Sequence, residues 1–293
     1  MLPGGVVTSR LICTTSVGPK KSTHARTALF VKSDEAAAMP AYVVLRDDFA
    51  ARGTHSYALH YHFDPACRIA AQSGDWLRAK RAEDSELSLH WCGSAAARTS
   101  VVQGHVSRCY GQQEPAPVVL REAVGTGAQS FFTCLLPSSP EASITEAAFE
   151  PCGASVTEGC CLRARSAQAI DTVLLGDCEA RIENKLLAAC GEVAWVRAVE
   201  GRLRSAALVR GRSLECGNGF AFFAPAVVRR CVIEFQAKEI EINLEGVSGF
   251  RLTLPESLTA IIVNGVRCAV DPRWRRAAFV QTGESWRLSE MDC

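Results

Sequence analysis

The residues able to do chemistry crowd into the first third of the chain. All six histidines precede residue 106: His24, His55, His60, His62, His90 and His105. His60 and His62 stand two apart in a stretch, His55–Phe63, that alternates strictly. Tyr57, Leu59, Tyr61 and Phe63 point one way, and Ser56, Ala58, His60 and His62 the other. Two imidazoles on one strand face can serve a single metal ion. Asp48, or Asp47 beside it, on a neighbouring strand would be the third ligand. The plainer reading is favoured, in which these are cross-strand polar residues satisfied by hydrogen bonds on a partly solvated face. No cofactor is therefore expected, and the purified chain is expected to carry no stoichiometric zinc.

A second pairing is His105 with Tyr110. His105 falls in a predicted turn, Gly104-His105-Val106-Ser107. A base and a phenolic acid are what an elimination reaction needs. The competing reading is structural: Ser107 bonds backbone and Tyr110 packs beside Gly111. No residue is assigned a catalytic role. His105, Arg108 and Tyr110 are instead candidates for contact with an anionic ligand. With them go Arg46, Arg52, Lys80 and Arg81, because a guanidinium fork matches carboxylate and sulfate. The competing reading for these cations is solvated strand ends. Arg273-Trp274-Arg275-Arg276 offers Trp274 as a platform for a sugar ring.

Other chemistries lack their signatures. There is no Gly-x-Ser-x-Gly, no phosphate loop around Gly217-Asn218-Gly219, and no zinc-type cysteine spacing among the 14 cysteines. The cysteines read either as buried small hydrophobes in a reducing compartment or as disulfides of an exported protein. The first is favoured, because no signal segment or framework spacing supports the second. A net charge of +1 gives no global field toward nucleic acid. No run of about 18 apolar residues predicts a membrane span.

The elements that must position these residues are strands. Thr27–Lys32, Ala41–Phe49, His55–Phe63 and Glu86–Trp91 are predicted strands. Pro117–Ala123 and Ser130–Leu136 are predicted to pair as a hairpin across Gly125-Thr126-Gly127. Further strands follow at Ala169–Leu175, Glu192–Val199, Ala206–Val209, Gly219–Phe223, Glu239–Leu244 and Gly249–Leu254. Thr259–Val270, with Asn264-Gly265 between two apolar runs, predicts a type I′ hairpin. Ile182–Cys190 admits a short helix, with strand as the competitor. Many short strands with few or no long helices predict a mostly-β fold, an antiparallel β-sandwich of supersandwich-like kind. The expected organisation is an N-terminal lead over residues 1–22 and one sandwich domain over 23–293. A soft joint is expected within 138–161, a stretch rich in Ser, Pro, Gly and Glu.

Three segments in order carry a resemblance: HARTALFVK at His24–Lys32, YVVLRDDFAARGTHSYALHYHFDP at Tyr42–Pro65, and GHVSRCYGQQEPAPVVLREAVGTGAQSFFTCLLP at Gly104–Pro137. Together they resemble the C-terminal β-sandwich region of the heparinase II/III-like polysaccharide lyases. The resemblance implies a sandwich fold and a parent activity of β-elimination on acidic polysaccharide such as a glycosaminoglycan or uronan. It also implies a helical toroid ahead of the sandwich, a divalent metal such as zinc in some members, and a periplasmic or cell-envelope setting. The family's His-x-His-x-Asp segment and His-Asn-Thr are missing here, and neither Asp64-Pro65 nor Asp271-Pro272 is followed by glycine. The chain is therefore expected to be catalytically incomplete alone; one reading left open is a truncated or split product whose toroid is encoded upstream. The alternative is a stand-alone carbohydrate-binding or interaction module, for which Trp76 or Trp274 would be the exposed aromatic. No export signal is legible, and location stays open.

Overall fold

The computed structural model describes the chain except for residues 1–5, 18–19, 83–84, 94–96, 139–142, 153–158, 178, 185, 256–257, 284 and 293. It is built almost wholly of strands. A single 3-10 turn, Glu35–Ala37, is the helical element among the described residues. None of these elements is a helix long and apolar enough to cross a membrane. The chain divides into two compact units, Val6–Phe149 and Glu150–Cys293.

The N-terminal unit contains β1 (Val6–Val17), β2 (Lys20–Val31), β3 (Tyr42–Ala50), β4 (Thr54–His62) and β5 (Arg68–Gln72). It continues with β6 (Trp76–Ala82), β7 (Ser85–Cys92), β8 (Arg98–Val106), β9 (Glu114–Thr126) and β10 (Gln129–Ser138). Seven strands form one sheet in the order β1-β2-β3-β10-β7-β6-β5, and three form a second, β4-β9-β8. Every pairing is antiparallel. The alternation expected from the sequence sets which side chains enter the core. Tyr57, Leu59 and Phe63 are buried while Ser56, Ala58, His60 and His62 are exposed. Phe63 and Val119 pack with Leu77, Ala79, Leu89 and Trp91 of the larger sheet. Tyr57, Leu59 and Ala123 pack with Phe131. Two sheets with facing apolar sides make this unit a sandwich.

One expected pairing is corrected. The runs Pro117–Ala123 and Ser130–Leu136 do not form a hairpin. Strand β9 pairs with β4 and β8, whereas β10 pairs with β3 and β7. The glycine segment is a corner from one sheet to the other. Gly127, at φ +76°, donates its N–H to the Gly53 carbonyl, at the start of β4. The reason lies in burial: Phe131, Phe132, Thr133 and Cys134 of β10 are all buried, so this strand must sit inside the larger sheet with both faces covered.

Strand β11 (Glu146–Pro151) crosses from one unit to the next along the chain. The C-terminal unit continues with β12 (Gly159–Arg165), β13 (Ala169–Gly176), β14 (Arg181–Glu183), β15 (Leu187–Val199), β16 (Arg202–Cys216) and β17 (Ala221–Phe235). Then come β18 (Glu239–Glu245), β19 (Gly249–Thr253), β20 (Ala260–Val263), β21 (Val266–Ala269), β22 (Arg276–Thr282) and β23 (Ser285–Asp292). The helix admitted for Ile182–Cys190 is absent: β14 and the start of β15 pair with each other instead. Ile182 is buried between exposed Arg181 and Glu183, the alternation of a strand.

Three long strands fold this sheet over on itself. The ladder β15–β16 shifts register between Cys190 and Gly191, and β16–β17 between Gly211 and Ser213. Before the bend β15 pairs with β14, and after it with β13. One half of β17 pairs with β19 and the other with β18. The two halves enclose a single core, in which Phe222, Phe250, Phe279 and Trp286 of one layer meet Ile233, Ile242 and Ile261 of the other. Phe250 stacks on Phe279 at 5.0 Å and on Phe222 at 5.4 Å. The Asn264-Gly265 hairpin forms as expected, with φ of 47° and 83°, between β20 and β21. The pair β18–β20 is parallel, whereas the other described pairings of this sheet are antiparallel.

Candidate functional site

The most organised polar group of the N-terminal unit surrounds Asp47. Its carboxylate is fully buried in a sheet of apolar strands. Register places Arg26 of β2 directly opposite Asp47 of β3, with His24 one diagonal step away. Arg26 donates to both carboxylate oxygens, Nε to Oδ1 at 2.7 Å and Nη2 to Oδ2 at 3.1 Å. His24 Nε2 lies 2.6 Å from Oδ1. The imidazole stacks on Phe49 at 4.3 Å, nearly parallel, and keeps 33% of its side chain exposed. A buried charge is tolerated only when paired and bonded, and both conditions hold here.

Tyr61 comes from the inward face of β4. Its hydroxyl and that of Thr133 on β10 are 2.6 Å apart, and its ring meets Trp91 at 6.0 Å. Burial pushes its pKa up, so Tyr61 is a neutral phenol. Asp47 and Arg26 both lie within its electrostatic reach. Over the Trp91 ring, at 5.5 Å, sits the Arg121 guanidinium, which also donates to Thr99 Oγ1 at 2.8 Å. The cluster thus holds an imidazole oriented by a carboxylate, a guanidinium at its side and a phenol. An imidazole so held can move a proton, and a half-exposed guanidinium can attract an acid.

The residues singled out from sequence are distributed differently. His60 and His62 do share the outer face of β4, with rings 6.4 Å apart. Asp48 is not on a neighbouring strand: β4 pairs with β9, and β3 with β2 and β10. Asp48 accepts from Arg46 at 2.8 Å and from Ser130 at 2.7 Å. Among the described residues no group of three metal-ligating side chains comes together. The same alternation that turns Tyr61 toward Asp47 turns both histidines away from it.

His105 lies in strand β8, opposite Pro115, and the turn begins only at Ser107. Gly104 is needed there because a Cβ would run into Val118. Ser107 donates to the Cys109 carbonyl at 2.9 Å. Tyr110 does not pack beside Gly111; it is fully exposed. Arg108 donates to Asp64 at 2.8 Å, and Arg81 lies 3.8 Å from the same carboxylate. Lys80 pairs with Glu86 at 3.1 Å. These cations already have carboxylate partners within the chain. Trp274 belongs to the C-terminal unit and rests half-buried on its core. Trp76 is half-buried too, with Arg78 5.9 Å from its ring. Sequence reasoning weighed Asp47 only as a metal ligand and gave His24 no role. The available signal was one acid inside an apolar strand, YVVLRDDF, facing alternate His and Arg in HARTALF.

No family model matches the sequence, and no curated protein matches it. Solved structures do. The chain is similar to the heparan sulfate lyase HepC from Pedobacter heparinus, at 14% identity and a TM-score of 0.42, over 54% of this chain and 24% of that one. It is also similar to a heparinase III, the BT4657 gene product, at 14% identity and a TM-score of 0.37, over 66% of this chain and 27% of the other. The chain therefore spans about a quarter of the length of these structures.

Proposed function

We propose that this chain is the β-sandwich portion of a heparinase II/III-like lyase, and that it holds acidic polysaccharide without cleaving it alone. The observation carrying this reading is the origin of the Asp47 cluster. His24 and Arg26 come from the first segment of the resemblance, Asp47 and Tyr61 from the second, and Thr133 from the third. Segments recognised separately along the sequence thus supply one cluster: His24 and Arg26 bonded to Asp47, and beside them, within electrostatic reach, Tyr61 bonded to Thr133. Elimination at a uronate needs a base for the C5 proton, an acid for the leaving oxygen and a partner for the carboxylate. The cluster offers an oriented imidazole and the exposed part of a guanidinium already paired with Asp47, but its phenol is turned inward and bonded to Thr133. That arrangement favours holding over turnover.

The test is absorbance at 232 nm, which reports unsaturated uronate, with heparan sulfate and alginate at high protein concentration. No turnover is expected, together with salt-sensitive retention on a heparan sulfate column. Turnover that vanishes in a His24→Ala variant would overturn the first part. Passage of the chain through the column at low salt would overturn the second.

A further inference from the structure

The C-terminal unit carries a surface that none of the preceding residues uses. In strands β17, β19, β22 and β23 the inward positions are Phe222, Phe250, Leu252, Phe279 and Trp286, all buried. The outward positions include Phe223, Arg251, Val280 and Arg287. Phe223 is 49% exposed and Val280 45%. Register sets Ser213, Phe223, Arg251 and Ala278 in one row across four strands. One step along, Val280 stands opposite Arg287. Directly opposed side chains on a sheet are about 5 Å apart, so Phe223 and Arg251 adjoin. Both arginines are exposed, and among the described residues neither forms an ion pair. Next along the same face, on β14 and β16, the charge is neutralised, because Arg181 bonds Glu215 and Glu183.

The row runs into a cleft. Strand β17 leaves the β16 ladder after Phe223 and rejoins it at Val228. Beside it Pro225 and Ala226, with Gly246, Val247, Ser248, Gly249 and Gln281, line an open groove of about 470 Å³. The backbone N–H of Gln281 donates to the Ser248 carbonyl at 2.8 Å and holds its wall. Gly249 pairs with Val280, so cleft and row are continuous.

We propose that this face binds an acidic oligosaccharide, which rests on the reading above and gives it a second surface. A pyranose ring lies against the exposed Phe223 ring, as sugars lie against aromatic faces. Its carboxylate or sulfate takes the forks of Arg251 and Arg287, and the chain continues into the cleft. A second copy of this protein fits the face less well. A two-fold self-contact would set unpaired arginines against arginines.

The test is calorimetric titration of the full chain with short heparan sulfate oligosaccharides, with unsulfated alginate oligosaccharides and with a neutral malto-oligosaccharide. The acidic sugars are expected to bind and the neutral one not. Phe223→Ala and Arg251→Glu should each weaken binding about tenfold or more, the loss of one good contact. Arg267→Ala, on β21 and away from this face, should leave it unchanged. All the substituted side chains are exposed, so circular dichroism should show intact folds. Undiminished binding in both variants would overturn this inference and leave the wider reading standing. Absence of acidic-sugar binding by the unsubstituted chain would sink both. A dimer in sedimentation that Phe223→Ala converts to monomer would show a self-interface instead.

Discussion

Asp47 illustrates why a buried carboxylate has to be read with its partners. Fully buried, it accepts from Arg26 twice and lies 2.6 Å from His24. Removing the acid leaves Arg26 facing an apolar layer. That guanidinium is 40% exposed and can rehydrate in part, which trims the usual penalty for breaking a buried pair. Asp47→Ala is therefore expected to destabilise by about 3 kcal/mol, the low end of that range, measured as a shift in urea unfolding. A shift well under 1 kcal/mol would show that the cluster is not structural. Asp47→Asn, which keeps an acceptor but no charge, should fall between.

At the scale of elements, the fold of the C-terminal unit turns on two glycines. Gly191 and Gly211 face each other where β15 and β16 bend. A Cβ on Gly211 would lie 2.5 Å from the Cys190 carbonyl oxygen and 2.8 Å from the Gly191 Cα. Both neighbours are backbone, so neither can rotate away. Gly211→Ala is expected to destabilise by about 3 kcal/mol, as overpacking with no side chain to give. A chemical unfolding curve checks it, and an unchanged midpoint would mean that the bend tolerates wider strand separation. Gly265→Ala, by comparison, meets open space, and its penalty should come from the φ of 83° alone.

Across the whole molecule, charge is nearly balanced and much of it is paired at the surface, so acid is the condition to which stability responds. Backbone and Arg108 contacts lower the pKa of Asp64, and Arg181 and Arg267 do the same for Glu215 and Glu239. Arg273 holds Asp271 at about 2. A depressed carboxylate contributes stability above its unfolded pKa, and loses it as pH falls through the folded value. His90, pushed down by burial, has the same sign, beginning higher. The urea midpoint should therefore be level above about pH 6.5, decline gently below it, and fall further between about pH 4 and 2. His90→Gln should remove the upper limb, and Arg273→Ala should flatten part of the lower one. A midpoint rising as pH drops would contradict the assignment. The individual steps are small, because the carboxylates sit at the surface.

Much of this was legible beforehand, and the divide is physical. Strand alternation is a local property. It correctly gave the inward Tyr57, Leu59 and Phe63, the outward His60 and His62, and the mostly-β sandwich. The Asn264-Gly265 turn was equally local, since two positive φ values demand those residues. Pairing is not local. Pro117–Ala123 and Ser130–Leu136 look like a hairpin, yet they part at Gly127 because β10 must be covered on both faces. The register that sets Arg26 opposite Asp47 is fixed across an interruption at residues 33–40, which no alternation spans. The row of Phe223, Arg251 and Ala278 likewise depends on which strands adjoin. The sequence by itself determined which face each side chain takes. Only the tertiary structure decided which faces meet, because burial is shared among strands far apart in the chain.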